Sequence, residues 1–151
     1  MTKLPGAATQ DVVSITKRSE MMRSVRQTGT RPELAVRRLL RTLGLKYRVR
    51  NRDLPGSPDI ANRRRKWAIF VNGCFWHGHK NCPKTKSGTG PRVPVGNQLF
   101  WREKLKANRL RDARTCIALR EMGYRVLIVW ECSIWTPDVL VKRLRLLSYD
   151  R

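Results

Sequence analysis

The chain has 151 residues, 40% of them hydrophobic, with 33 Lys+Arg against 11 Asp+Glu and a formal net charge of +22. That length is about one domain's worth, and the apolar fraction is ordinary for a globular protein, which argues against a wholly disordered chain. Apolar stretches such as Val126 to Trp130 are far too short to cross a bilayer, and Asp11 and polar residues interrupt the first twenty positions, so neither a membrane span nor an export leader is expected. A self-repelling positive excess of this size calls for a polyanionic partner, nucleic acid before an anionic membrane surface. Charge alone divides evenly between a nucleic-acid binder and a nucleic-acid enzyme.

Residues 1 to about 16 carry Pro5 and Gly6 without a helical apolar period and read as a mobile arm ahead of one domain spanning 17–151. A short helix from about Thr16 would hold Met21, Met22 and Val25, and Gln27 to Thr30 reads as a turn. Thr30-Arg31-Pro32-Glu33 is a helix start, with Thr30 as cap, Pro32 in the first turn and Glu33 completing a capping box. Leu34, Val36, Leu39, Leu40 and Leu43 supply the apolar face and Gly44 the stop. Leu45 to Val49 alternates like a strand, and Asn51 to Pro58 is a loop rich in turn residues. Asp59-Ile60-Ala61 reads as a short strand, Arg63-Arg64-Arg65 as a basic turn, and Trp67 to Val71 as a strand covered on both faces. Gly73 to about Gly96 is a long loop, of a length that is uncommon unless functional or tied down. A long helix from about Asn97 to Met122 follows, its apolar members being Leu105, Leu110, Ala113, Ile117 and Met122. Gly123 stops it, Tyr124 to Trp130 forms a second buried strand, and Pro137 opens a last helix to about Leu147 with Val139, Leu140, Leu144 and Leu147 inward. This order predicts an α/β (α+β) fold, one mixed central sheet with helices on its faces.

Cys74, His77, His79 and Cys82 fall within nine residues of that long loop. Cys74, His79 and Cys82 are three ligands for a soft or borderline metal, and Cys132, just past a buried strand, can supply the fourth. Cys3His is a regular set for structural zinc, which would pin the loop to the sheet. Cys116, beside Ile117 on the long helix, reads as a small core residue. The alternative is that the cysteines are buried thiols and the histidines lie on the surface.

Hydrolysing a phosphodiester with magnesium needs carboxylates in a basic site. Between Ile60 and Arg102 there is no Asp or Glu, while nine Lys or Arg occur. Asp59, entering a buried strand at the edge of that zone, is the first candidate, since a buried acid is costly unless it binds something. Glu33 is a second candidate, although its capping role accounts for it alone. His77 is left over if His79 closes the zinc, and an imidazole titrates near neutrality. Phe75 and Trp76, in Gly-Cys-Phe-Trp-His, can stack on bases or wedge between base steps, although the residues by themselves favour packing over the zinc. Phe100 and Trp101 carry the same ambiguity.

Taken together, Leu54-Pro55-Gly56-Ser57-Pro58-Asp59, Ile69-Phe70-Val71-Asn72-Gly73-Cys74-Phe75-Trp76-His77-Gly78-His79, Phe100-Trp101-x-x-Lys104, Asn108-x-x-x-Asp112 and Gly123 to Cys132 resemble the very short patch repair (Vsr) endonuclease family, over about residues 17 to 135. Met21-Met22-Arg23 and Thr30 to Glu33 also fit. The resemblance implies a restriction-endonuclease-like fold with a structural zinc loop. It also implies a monomeric, strand-specific nickase that cuts 5′ of the thymine in T:G mismatches left by deamination of 5-methylcytosine. Asp59 and the Val71 carbonyl match magnesium ligands, and Glu33 an acid reaching that site through water. His77 matches the catalytic histidine, and Cys74, His79, Cys82 and Cys132 the zinc ligands. Phe75 and Trp76 match aromatics that enter the DNA, Met22 an apolar wedge from the other groove, and Trp101 and Lys104 positions on the DNA side of the long helix. A DNA cytosine-5 methyltransferase and a MutL-type repair protein are the implied associates, and a bacterial, nucleoid-associated cytoplasmic location the implied setting. Asn72 departs from the pattern. It stands where a second active-site histidine is usual, and an amide can orient water or phosphate but cannot shuttle a proton. The interval from Cys74 to Cys82 is one residue longer than usual, which zinc spacing tolerates, and the Arg63-Arg64-Arg65-Lys66 turn is unusually basic, which would add nonspecific hold on DNA. The competing functions are a restriction-type or repurposed nuclease on the same scaffold, a non-catalytic zinc-stabilised DNA binder and, least suited to an Asp59–His77 pairing, an RNA-binding protein.

Overall fold

A computed structural model describes residues 14–24, 28–84 and 97–149. Residues 1–13 of the arm expected over 1–16, Val25 of the expected first helix, and residues 85–96 of the long loop lie outside the described residues, while Ile15 and Thr16, expected in the arm, open a helix. The elements run α1 (Ile15–Ser24), α2 (Arg31–Thr42), β1 (Arg48–Val49), β2 (Ile60–Asn62), β3 (Trp67–Asn72), α3 (Gln98–Glu121), β4 (Arg125–Trp130), a short 3-10 turn (Glu131–Trp135) and α4 (Pro137–Arg145). The strands form one sheet in the order β1-β2-β3-β4. β1, β2 and β3 are antiparallel neighbours, while β3 and β4 pair in parallel over their full length, from Trp67 opposite Arg125 to Asn72 opposite Trp130. Parallel neighbours need a long crossover, and α3 is that crossover. The mixed sheet and its helices agree with the expected fold class.

The alternation of a pleated strand sorts the core into two layers. Ile60, Trp67, Ile69 and Val129 face Val36 and Leu40 of α2 and Leu140 and Leu144 of α4. Ala61, Ala68 and Phe70 face the opposite way, toward Leu119 of α3 with Leu54 and Tyr124. Ala61 and Ala68 pair directly across β2 and β3, and their small side chains let α3 lie close to the sheet.

Several boundaries and faces differ from expectation. Strand β1 is two residues long rather than running from Leu45, because Leu45 turns into the core and the Lys46 carbonyl is taken by the Asn62 side chain instead of a ladder partner. Leu34 on α2 and Val139 on α4 face solvent, at 45% and 57% exposure. The larger difference is on α3. Leu110, Ile117 and Met122 are exposed, as is Ala113, whereas Trp101, Leu105, Cys116 and Leu119 are buried. Cys116 is thus the small core residue expected. The helix is rotated from the predicted phase because its inward stripe continues through the polar residues Asn108, Asp112 and Thr115, all partly buried. That rotation makes a sharp prediction for chemical denaturation. Leu119→Ala, fully buried, should cost about 2–5 kcal/mol, while Ile117→Ala should stay within about 0.5 kcal/mol of wild type.

Candidate functional site

The loop 51–58 places Asp59. Asn51 is fully buried, and its side-chain amide donates to the carbonyls of Arg48 (3.1 Å) and Pro58 (3.0 Å), tying both ends of the loop together. Leu54 anchors the middle in the α3-side core. Gly56, at φ +69, lies so close to α3 that a Cβ there would fall 2.2 Å from Thr115 Cγ2, so only glycine fits. Asp59 then enters β2 with its Oδ2 accepting the Val71 N–H at 2.7 Å. Burial pushes its carboxyl up to about 6 against the pull of that hydrogen bond, and the nearby charge of Glu33 pushes it further.

Asp59, Val71, Asn72, His77, Asp112 and Glu131 line one cleft of about 890 Å³, with Lys104 and Arg111 also on its walls. The structure therefore brings the two principal sequence candidates, Asp59 and His77, to the same cleft. His77 Nδ1 lies 2.6 Å from Asp112 Oδ2, which leaves Nε2 as the ring nitrogen for proton transfer. Asp112 was not assigned a role from the sequence. Its signal was present in its spacing, four residues after Asn108 on a face otherwise buried. Asn108 itself donates to the Trp76 carbonyl at 2.8 Å, so consecutive turns of α3 hold Trp76 and His77.

Glu33 is 3% exposed and stands behind the cleft rather than on its lining. Its carboxylate accepts the Gly29 N–H at 2.6 Å and pairs with Arg37. It therefore caps α2 through Gly29, not through the Thr30 N–H that a capping box would use, while Thr30 Oγ1 accepts from the Glu33 N–H as expected. Asn72 is 7% exposed at the end of β3, opposite Trp130. Met22 falls within α1, and its side chain is outside what the structure describes.

Phe75 and Trp76 form an aromatic group with Trp101. The ring centroids of Phe75 are 5.1 Å from Trp76 and 5.3 Å from Trp101, and Phe100 packs on Trp101 at 5.5 Å. Lys104 Nζ sits 5.9 Å from Trp76 and 5.7 Å from Trp101. Trp101 is the buried floor, and Phe75 and Trp76 are half-buried above it. This corrects the packing expected from the residues alone. The aromatics lie on α3, and it is Trp130 that covers the cysteine group, stacking on His79 at 4.2 Å and 6°.

The ligand atoms of Cys74, His79, Cys82 and Cys132 all lie within 4.8 Å of one another. Donors and spacing fit tetrahedral zinc, whose thiolate sulfurs sit about 2.3 Å from the ion. Burial, reinforced by the adjacent thiols, pushes Cys74 up to about 12, and burial likewise raises Cys132. A bound cation would relieve the cost of ionising Cys74 and Cys132. Burial holds His79 toward its neutral, metal-binding form. Glu131 braces the loop at both ends, accepting from the Cys74 N–H (3.4 Å) and from Lys84 Nζ (3.0 Å).

Two predictions follow from this geometry. The purified chain should carry one tightly held zinc, measured by elemental analysis, and Cys132→Ala should lose both the metal and the cooperative thermal transition. For Asp59, the folded state keeps a proton up to about pH 6 that the unfolded chain releases near 3.8. Stability of the magnesium-free protein therefore falls as pH rises through that window, by on the order of 2–3 kcal/mol. Asp59→Asn should melt higher than wild type at pH 7.5 without magnesium, and the gap should close as pH falls toward 4.

The model for "DNA mismatch endonuclease Vsr" matches residues 10–84. The chain is 42% identical over 135 residues to the type II nicking enzyme V.XorIIP of Xanthomonas oryzae pv. oryzae, covering 89% of this chain and 94% of that protein. It is 39% identical over 139 residues to the DNA mismatch endonuclease Vsr of Escherichia coli, covering 89% and 85%. It is 34% identical over 134 residues to the type II nicking enzyme V.NmeAIP of Neisseria meningitidis, covering 89% and 91%. The mixed sheet, the Cys3His loop and these relatives agree, and the chain belongs to the Vsr family of DNA mismatch endonucleases.

Proposed function

We propose that this endonuclease nicks one strand of duplex DNA on the 5′ side of the thymine in a T:G mismatch, with magnesium, leaving a 3′-hydroxyl and a 5′-phosphate. The observation that carries the reading is the convergence of Asp59 and the His77–Asp112 pair on one cleft in a strongly basic chain. Asp59 and the Val71 carbonyl would hold the cation, with Glu33 acting from behind through water. The donor set fits it, because Asp59 is a largely buried carboxylate whose charge is poorly compensated. When bound, magnesium supplies positive charge for the attacking and leaving oxygens of the phosphodiester.

The chain's own groups do the rest. His77, oriented through Nδ1 by Asp112, takes a proton from the attacking water at Nε2. Asn72 holds water or phosphate by hydrogen bonds and leaves proton transfer to His77 alone. Phe75 and Trp76 enter the stack from one groove and Met22 from the other, while Trp101 and Lys104 support the aromatics along α3. A mispaired step is cheaper to unstack than a matched one, so distortion itself favours the mismatch. The same reading takes in a cytosine-5 methyltransferase as the source of the lesion, a MutL-type protein as a repair associate, and structural zinc in the loop.

The test is single-turnover nicking across T:G, U:G, other mismatched and matched duplexes, with and without magnesium. T:G should be cut fastest and only with the metal. Asp59→Ala should abolish nicking while binding persists. His77→Ala should slow it about 10²–10⁴-fold, and Asp112→Asn should slow it in the same direction without weakening binding. Equal cutting of matched DNA would favour a repurposed nuclease on the same scaffold.

A further inference from the structure

The end of the sheet away from the cleft is a second concentration of positive charge. Asp59, Val71 and Asn72 stand at one end of β2 and β3. The Arg63–Lys66 turn stands at the other, separated by six residues of strand, or about 17–20 Å. The turn is built rather than loose. Asn62 Oδ1 accepts the Arg65 N–H at 2.9 Å, Asn62 Nδ2 donates to the Lys46 carbonyl at 2.7 Å, and Lys66 Nζ sits 4.7 Å over the Tyr124 ring. The chain brings further cations to the same rim. Arg125 begins β4, its N–H donating to the Lys66 carbonyl at 2.8 Å and its guanidinium to the carbonyls of Leu146 and Leu147. Arg65 donates to the Ser148 carbonyl at 3.2 Å.

These bonds to the segment just past α4 bring the C-terminal end of that helix, with Arg145, beside the turn. Arg120, in the last turn of α3, arrives at the same end just ahead of β4. The acids placed here among the described residues are Asp53, paired with Arg63 and Arg48, and Glu121. Arg64, Arg120 and Arg145 are exposed.

We infer that this end of the sheet binds the phosphate backbone of a second duplex segment, so that the enzyme bridges the DNA in its cleft to another stretch of DNA. The residues of the Arg63–Lys66 turn, with Arg120, Arg125 and Arg145, are not among those that line the cleft. A preformed row of cations on rigid elements is an electrostatic footprint for a phosphate backbone, independent of base sequence. The inference needs the chain to act on DNA and does not need T:G to be its target.

The experiment uses the full chain carrying Asp59→Ala, which leaves the first duplex uncut. The chain is saturated with a short mismatched duplex, and capture of a second, differently labelled matched duplex is followed by energy transfer between the two labels as salt is raised. The wild-type rim should capture it. Combining Arg64→Gln, Arg120→Gln and Arg145→Gln should weaken capture at least tenfold and lower the salt slope of that event by about 3. First-duplex affinity, melting temperature and, in the chain with Asp59 intact, nicking of the short duplex should hold. The same three positions changed to Lys should retain capture. Failure of the wild-type rim to capture a second duplex overturns the inference. So does equal loss of first-duplex affinity in the Gln variant, which would make the rim part of the same DNA contact. Capture of anionic vesicles through these residues in preference to DNA also overturns it. Capture without any nicking of T:G would instead overturn the proposed substrate and leave the bridging intact.

Discussion

A single hydrogen bond, from the Val71 N–H to Asp59 Oδ2, sets the position of the acid around which the cleft is organised. It joins the start of β2 to the end of β3, where an antiparallel ladder would otherwise run out, and it fixes one carboxylate oxygen while the remainder of the group stays available. The cost is a buried negative charge beside Glu33. Asn51 contributes by stapling the loop, and Gly56 by allowing it to touch α3. Among the described residues the acid is thus held by backbone and packing, and the charge of Arg37 acts on it only as a minor pull. A salt bridge would have neutralised the charge that a divalent cation needs.

Helix α3 then acts as a ruler between the parts of the site. One stripe of it carries Trp101 beneath Phe75, Asn108 on the Trp76 carbonyl, Asp112 on His77 and Thr115 against Gly56. A helix advances about 1.5 Å per residue, so these contacts are spaced over roughly 20 Å on one rigid rod. Phe75 and Trp76, the histidine and the loop that places Asp59 are therefore held in fixed relation. The cysteine group supplies the complementary anchor. It ties Cys74 and Cys82 to Cys132 at the end of β4, so that His77 hangs between two supports.

The fold class was legible because its signals are hydrophobic and local. The Trp67–Val71 and Tyr124–Trp130 runs read as buried strands, Thr30-Arg31-Pro32 as a helix start and Gly123 as a stop, and each element is found there, although within β4, at the end of the strand order, Val129 alone is fully buried. The cysteine and histidine spacing likewise identified four residues that the structure brings together. The phase of α3 was not legible by the same logic. A search for apolar period selects Leu110, Ile117 and Met122, whereas the inward face there is half core and half cleft and carries Asn108 and Asp112. Functional sites break the rule that polar residues face out, and pattern reading errs where they do. Asp112 was missed for that reason. Its spacing from Asn108 puts the two on one helix face, but its approach to His77 is set by a crossover that brings residues 35 positions apart together.

The scarcity of acids also bears on mechanism. A scissile phosphate entering the cleft brings negative charge toward Asp59 and Asp112, and like charges close together in a partly desolvated site repel strongly. Lys104 and Arg111 line the walls, while Asp59 remains pushed up by burial. A divalent cation held by Asp59 would supply the positive charge that relieves this conflict. The proposed chemistry and the proposed metal are therefore one requirement. In a chain with thirty-three Lys and Arg, the charge of Arg37 pulls against the burial of Asp59 but does not offset it.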